Sequence, residues 1–291
     1  MQKPDFSDHK MQTAEGPQIA YRVYEAMGGE ETGVPILCLH GLTRSLLDFE
    51  DLAPRLAMMG RKVITASQRG RGDSDPETDP ARYSPLIYTG DMLGLLDHLS
   101  IKKALFIGTS MGGLMTMIAA SAAPERMTGA IINDIGPEID PKGLARIQGY
   151  VGKSTPVTSW DDAANRIKQI NGAAYPNETG HEFWLDFAKK TFRNDENGQL
   201  IVNYDPKISQ SVTPGNQDLA DLWPLFMALK EIPTLVIRGG ISDILSAETL
   251  QTMKSRKPDL AVSIVPNVGH APTLIEPQSW AAIRKFVGEV D

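Results

Sequence analysis

Cysteine is nearly absent. Cys38 is the one cysteine in 291 residues, so no disulfide can form within the chain, and its place in an apolar run marks it as a core residue. No C-x-x-C, no H-x-x-x-H and no G-x-G-x-x-G after a strand-like run occurs, which removes the usual signatures of zinc and dinucleotide sites. Gly70-Arg71-Gly72 reads as a structural turn and not as a phosphate cradle. Neither a metal nor an organic cofactor is therefore expected. Positive charge is also short: 29 Lys and Arg against 36 Asp and Glu leave a net charge of -7, which argues against nucleic acid or an anionic membrane as partner. No apolar run approaches the roughly 20 residues needed to cross a bilayer, and residues 1–5 lack a signal-peptide core. The expectation is a cytoplasmic protein, monomer or homodimer, with a small molecule as its partner.

What is present is an ordinary globular composition in a chain long enough for one large core, or a core with a smaller insert. Residues 10–14 and 18–24 read as two strands of an edge hairpin joined by Glu15-Gly16-Pro17. Residues 34–39, 62–66, 104–107, 127–132, 233–240 and 261–265 read as further strands. Helical spacing covers 45–59, 88–99, 114–120, 247–254 and 279–290. Strands alternating with helices predict an α/β fold: a mostly parallel eight-stranded sheet covered by helices on both faces. No internal repeat or low-complexity segment breaks the pattern.

One third of the chain behaves differently. Residues 138–230 carry short helix signals with good caps: Asp140 before Pro141, Ser159 three before Asp162, Thr179 three before Glu182. They also hold about half of the aromatics, Trp184 among them. The expected division is a core of 1–137 and 231–291, with 138–230 a helical cap inserted after the sixth strand. Most of the aromatics must hold that subdomain together; a few would form an apolar ceiling over a site.

The whole pattern centres on Gly108-Thr109-Ser110-Met111-Gly112-Gly113, between a buried strand and a helix. Such a G-x-S-x-G turn is a nucleophile elbow when a strand reverses sharply into a helix. Gly108 and Gly112 leave room where side chains would clash, and Ser110 then stands at a helix N-terminus, where the Met111 N–H favours negative charge. G-x-S-x-G also arises by chance, so a base, an acid and a second donor are needed.

Of five histidines, His9 is in the N-terminal tail, His98 in a surface-type helix and His181 in the insert. His40 follows a strand in a His-Gly turn and reads as a loop brace. His270 lies just past the last strand, on the elbow's side of the sheet, and is the expected general base. Asp243, past the preceding strand, is the expected acid, because the order Ser110, Asp243, His270 is that of this type of triad. Asp134, past the strand after the elbow helix, is the alternative. The Leu42 N–H, in the turn after residue 39, is the expected second oxyanion donor. Arg44 and Phe49 are candidate pocket residues beside it, as is Trp184 in the insert; a solvated arginine and core aromatics are the plainer readings.

Taken together, the His40-Gly41 turn, the Arg69-Gly70-Arg71-Gly72-Asp73-Ser74 loop, the elbow, Asp243 and Gly269-His270 resemble the α/β-hydrolase superfamily over nearly the whole chain. Ser67 departs from the aspartate often found there, a structural difference. The resemblance implies the capped, small-molecule branch of esterases, lactonases and carbon–carbon bond hydrolases. Epoxide hydrolases and haloalkane dehalogenases carry an aspartate at the elbow, so Ser110 argues against both. Carbon–carbon hydrolases of ring-fission diketones share the Ser-Met-Gly-Gly elbow, but with a more glycine-rich oxyanion turn than His40-Gly41-Leu42-Thr43. The expected activity is hydrolysis of a small or medium carboxylic ester or lactone; the alternatives are that carbon–carbon hydrolase and a non-catalytic receptor of the same fold.

Overall fold

The computed structural model describes residues 5–28, 31–153, 156–212 and 221–290. Residues 1–4, read above for a signal peptide, and 154–155 and 213–220 of the expected cap lie outside the described residues.

Eight strands form one sheet: β1 (Phe6–Gln12), β2 (Gln18–Tyr24), β3 (Ile36–Leu39), β4 (Val63–Ala66), β5 (Ala104–Thr109), β6 (Met127–Asn133), β9 (Thr234–Gly239) and β10 (Ala261–Val265). A separate antiparallel pair, β7 (Phe192–Asn194) and β8 (Leu200–Val202), lies in the long connection between β6 and β9. The order across the large sheet is β1-β2-β4-β3-β5-β6-β9-β10. β1 and β2 are antiparallel to their neighbours, and every pair from β4 to β10 is parallel. All six parallel strands therefore end at one edge, and the connections diverge on either side of β5, the place where open α/β sheets form crevices.

The central strands are buried on both faces, as continuous apolar runs such as Ile36-Leu37-Cys38-Leu39 require. One face packs Met115, Met117 and Ala119 of α3 (Met111–Ala122) with Tyr88, Met92 and Leu95 of α2 (Pro85–His98). The other packs Leu52 and Leu56, beside and in α1 (Ala53–Ala57), with Ile283 and Val287 of α9 (Pro277–Glu289). The helix expected over 45–59 is broken into a 3-10 turn, Leu46–Phe49, and the short α1. Pro54 is the reason: it has no N–H to give to the preceding turn and is tolerated only at a helix start.

Between β6 and β9 run α4 (Pro141–Tyr150), α5 (Trp160–Asn171), α6 (His181–Lys189) and α7 (Trp223–Met227); α8 (Ala247–Arg256) follows β9. Ser159 caps α5 and Asp140 caps α4 through their side-chain oxygens. Val157, Ala164, Ile167, Trp184, Ala188 and Phe192 make a small apolar cluster of their own. Ile208, Trp223 and Phe226 instead join the cluster under the main sheet, so the end of this segment is part of the sheet's packing. Among the described residues no helix is long and apolar enough to cross a membrane.

Candidate active site

Ser110 follows β5 with φ 53° and ψ -115°, a conformation L-residues avoid. Neighbouring glycines make it possible. A Cβ at Gly108 would overlap the Gly112 carbonyl, and one at Gly112 would overlap the carbonyl of Leu39. Ser110 N–H donates to the Asn133 carbonyl at 2.9 Å, which fastens the turn to the end of β6. The hydroxyl is thereby held beyond the sheet edge at the N-terminus of α3.

His270 arrives from the loop after β10. Its Nε2 lies 2.8 Å from Ser110 Oγ, and its Nδ1 lies 2.8 Å from Asp134 Oδ2. Asp134 sits just past β6 with φ 57° and is fully buried. Its carboxylate also accepts the Gly239 N–H at 2.8 Å and the Ser242 hydroxyl at 2.6 Å. Those bonds leave the carboxylate one orientation, with Oδ2 toward the imidazole. A carboxylate that only accepts there fixes the Nδ1–H tautomer and leaves Nε2 free to accept the serine proton.

The expectation that Asp243 would meet His270 is corrected by this geometry. Asp243 turns away to Arg146 of α4, whose Nε and Nη2 donate to its two oxygens at 2.6 and 2.8 Å. That guanidinium holds the Asp243 carboxyl below its ordinary pKa. Both aspartates lie at the same sheet edge, so sequence order could not choose between them. Ser242 and Arg146 decide it, the first by anchoring Asp134 and the second by drawing Asp243 outward.

Leu42 and Met111, the two expected oxyanion donors, lie just past β3 and at the start of α3. Among the described residues neither backbone N–H donates to a protein acceptor. The Gly41–Leu42 peptide is fixed from its carbonyl side: His40 Nδ1 lies 2.7 Å from Gly41 O, and the Arg44 N–H reaches it at 3.2 Å. In a trans peptide the N–H points opposite the carbonyl, so this grip aims the Leu42 N–H away from His40. The Gln68 N–H donates to His40 Nε2 at 2.9 Å, which assigns the proton to Nδ1. Burial pushes the His40 pKa down to about 4, so the ring stays neutral as this role needs. His40 is the brace its sequence position implied.

A cavity of about 200 Å³ opens over Ser110 and His270. Arg44 and Phe49 line it, as expected; Phe49 is also a core residue. Trp184 does not line it. Its ring is 2% exposed, packed in the insert's own cluster, with the indole N–H on the Glu178 carbonyl. Phe183 and Phe187, one helical turn apart on α6, face the cavity instead. The sequence signal for them was present in that i,i+4 pair of aromatics. Among the described residues no three His, Cys, Asp or Glu side chains gather as metal ligands.

The sequence profile described as the alpha/beta hydrolase fold matches residues 34–277. The chain belongs to the α/β-hydrolase fold family. A crystal structure of an α/β hydrolase from Novosphingobium aromaticivorans superposes with a TM-score of 0.91 at 41% identity, covering 99% of each chain. Among named relatives, a 3-hydroxybutyrate-oligomer hydrolase from Cupriavidus necator is 30% identical, with 90% of this chain and 91% of the relative covered. A 2-(acetamidomethylene)succinate hydrolase from Mesorhizobium japonicum is 26% identical over 88% of each.

In this α/β hydrolase the segment between β6 and β9 also grips the histidine loop, which the sequence did not reveal. Gly269 N–H donates to the Ala174 carbonyl at 2.6 Å, and the Tyr175 hydroxyl donates to the Ala271 carbonyl at 2.6 Å. His270 is held on both sides. Asn133 adds a third tie, its Nδ2 reaching the Pro272 carbonyl at 2.8 Å and Thr109 Oγ1 at 3.1 Å. One buried side chain thus links elbow strand, β6 and histidine loop.

Proposed function

We propose that this α/β hydrolase is a serine hydrolase that cleaves a small or medium carboxylic ester or lactone through an acyl-enzyme. The observation that carries the reading is the continuous chain Ser110 Oγ, His270 Nε2, His270 Nδ1, Asp134 Oδ2, with 2.8 Å at each hydrogen bond, beside a cavity lined by Leu42 and Ser110. His270 takes the serine proton as Oγ attacks the carbonyl carbon. The N–H groups of Leu42 and Met111 receive the oxyanion, each worth roughly 3 kcal/mol in the transition state. Asp134 steadies the imidazolium without taking its proton, and His270 passes that proton to the leaving alkoxide. Water, deprotonated by the same imidazole, then attacks the acyl carbon and releases the acid.

The described part of the segment between β6 and β9 serves as the cap, since Ile147 and Tyr150 of α4, Tyr175, and Phe183 and Phe187 of α6 line the cavity over Ser110. The relative named for 3-hydroxybutyrate oligomers, whose links are esters, supports ester chemistry in particular. The test is hydrolysis of p-nitrophenyl acetate to decanoate by wild type and Ser110→Ala. Turnover that peaks at short acyl chains and disappears in the variant supports the reading. A folded wild type with no turnover on any of them would sink it and favour a diketone substrate or ligand binding.

A further inference from the structure

A second, smaller cavity of about 80 Å³ adjoins the one over Ser110. Thr43, Arg44, Tyr150, Asn171 and Phe187 line both, so these five residues form the partition between them. Arg44 is held in place. The Arg44 guanidinium lies 4.3 Å from the centre of the Phe187 ring, forks onto Asp48 at 2.6–3.0 Å and bonds Thr191 Oγ1. A guanidinium has five N–H donors, and these bonds leave one N–H on each Nη unspent.

The two cavities differ in charge. Asp48, Asp51 and Asp186 line the cavity over Ser110, and Lys190 there is neutralised by Asp51 at 2.7 Å and Asp186 at 2.8 Å. The side chamber is lined by Arg44, Lys153 and Arg166, and by no Asp or Glu among the described residues. Neither Arg166 nor Lys153 has an ion pair or side-chain hydrogen bond among the described residues. Two unpaired cations, Lys153 and Arg166, beside the Asp48-paired Arg44 in a hollow with no Asp or Glu in its lining, constitute an anion-attracting pocket. Its volume of about 80 Å³ is several times the roughly 10–15 Å³ a cavity needs to hold one water, so it has room for a small polar group. Arg44 and Arg166 offer planar donor sets suited to carboxylate oxygens, with the hydroxyl of Thr43 beside them.

The geometry points to this chamber as a carboxylate subsite: the substrate is an ester that bears a free carboxylate at the end remote from the bond cleaved by Ser110. The inference rests on the ester-hydrolase reading above and narrows it to esters of hydroxy acids or of dicarboxylic acids.

The test compares 3-butanoyloxybutanoate with 3-butanoyloxybutanamide, which keeps the skeleton and removes the charge, by following butanoate release. Wild type should favour the carboxylate in kcat/KM by about tenfold or more, the span of a charge-assisted hydrogen bond. The preference should reside in KM and shrink in high salt as the cations are screened. In Arg166→Gln it should fall, and in Lys153→Gln/Arg166→Gln it should come to within about twofold of unity if these cations supply the attraction. A wild-type ratio near one, or a ratio unchanged in the double variant, overturns the subsite. If wild type hydrolyses neither compound, the ester reading has failed, and the subsite is judged by binding. Calorimetry with 3-hydroxybutyrate should then show wild type binding at least about tenfold tighter than the double variant; equal binding, or none, overturns it.

Discussion

Asp134 Oδ2 stands 2.8 Å from His270 Nδ1, while Asp243, just past the strand beside it, is bound by Arg146 at 2.6 Å. The two carboxylates share one sheet edge and have separate partners. Removing the charge should therefore have unequal consequences. Asp134→Asn is expected to lower kcat by about 10³–10⁴-fold, the loss seen when a triad acid no longer fixes the imidazole. Asp243→Asn should cost less than about tenfold, since its partner is a partly exposed arginine. Steady-state kinetics of both on one ester, with circular dichroism to show that they fold, checks this. The opposite ranking would return the acid role to Asp243.

Tyr175 touches the histidine loop through one hydroxyl, at the Ala271 carbonyl. Tyr175→Phe keeps the ring and removes that tie. Loosening His270 should lower kcat about tenfold while KM stays within about twofold, because small misplacements of a reacting group are costly in rate. A change confined to KM would mean that Tyr175 acts only as a cavity wall.

His40 makes the protein acid-sensitive below neutrality. Its pKa falls from the ordinary 6.5 to about 4 through burial. The unfolded chain therefore binds a proton between those values and the folded chain does not. Stability from this group is full above pH 6.5, is lost as pH falls toward 4, and changes no further below it. The loss is roughly 3 kcal/mol. Urea midpoints of wild type and His40→Gln, taken from pH 7 to pH 4, should converge as pH drops. Parallel curves would refute it.

Gly108 has no space for a methyl group. The added Cβ would meet the Gly112 carbonyl and the Gly113 nitrogen, which are backbone atoms of the elbow helix and cannot swing aside. Gly108→Ala is expected to lower stability by about 3 kcal/mol and to abolish turnover together. Gly149→Ala, where nothing lies within 4 Å, is the control and should lose neither. A Gly108→Ala protein of wild-type melting temperature would show that the elbow can relax.

The sequence alone determined the sheet, the elbow turn and the candidate histidine. Apolar runs such as Ile36-Leu37-Cys38-Leu39 and Ala104-Leu105-Phe106-Ile107 can be buried only between two helical layers, and the strained turn at Ser110 requires glycines that are visible as letters. His270 followed by elimination, and His40-Gly41-Leu42 by its place after a strand. Tertiary structure decided whatever depended on which side chain found which partner across long sequence gaps. Asp134 won the histidine because Ser242, 108 residues away, anchors it, and because Arg146 takes Asp243. Trp184 went inward and Phe183 and Phe187 faced the cavity, since the phase of α6 against its neighbours is a packing outcome and not a pattern in the letters. The link from Tyr175 to the loop of His270 spans 96 residues, and local propensity carries no information at that range. Periodicity and glycine placement are local constraints that a chain states outright; the pairing of charges and hydroxyls belongs to the folded surface that the packing creates.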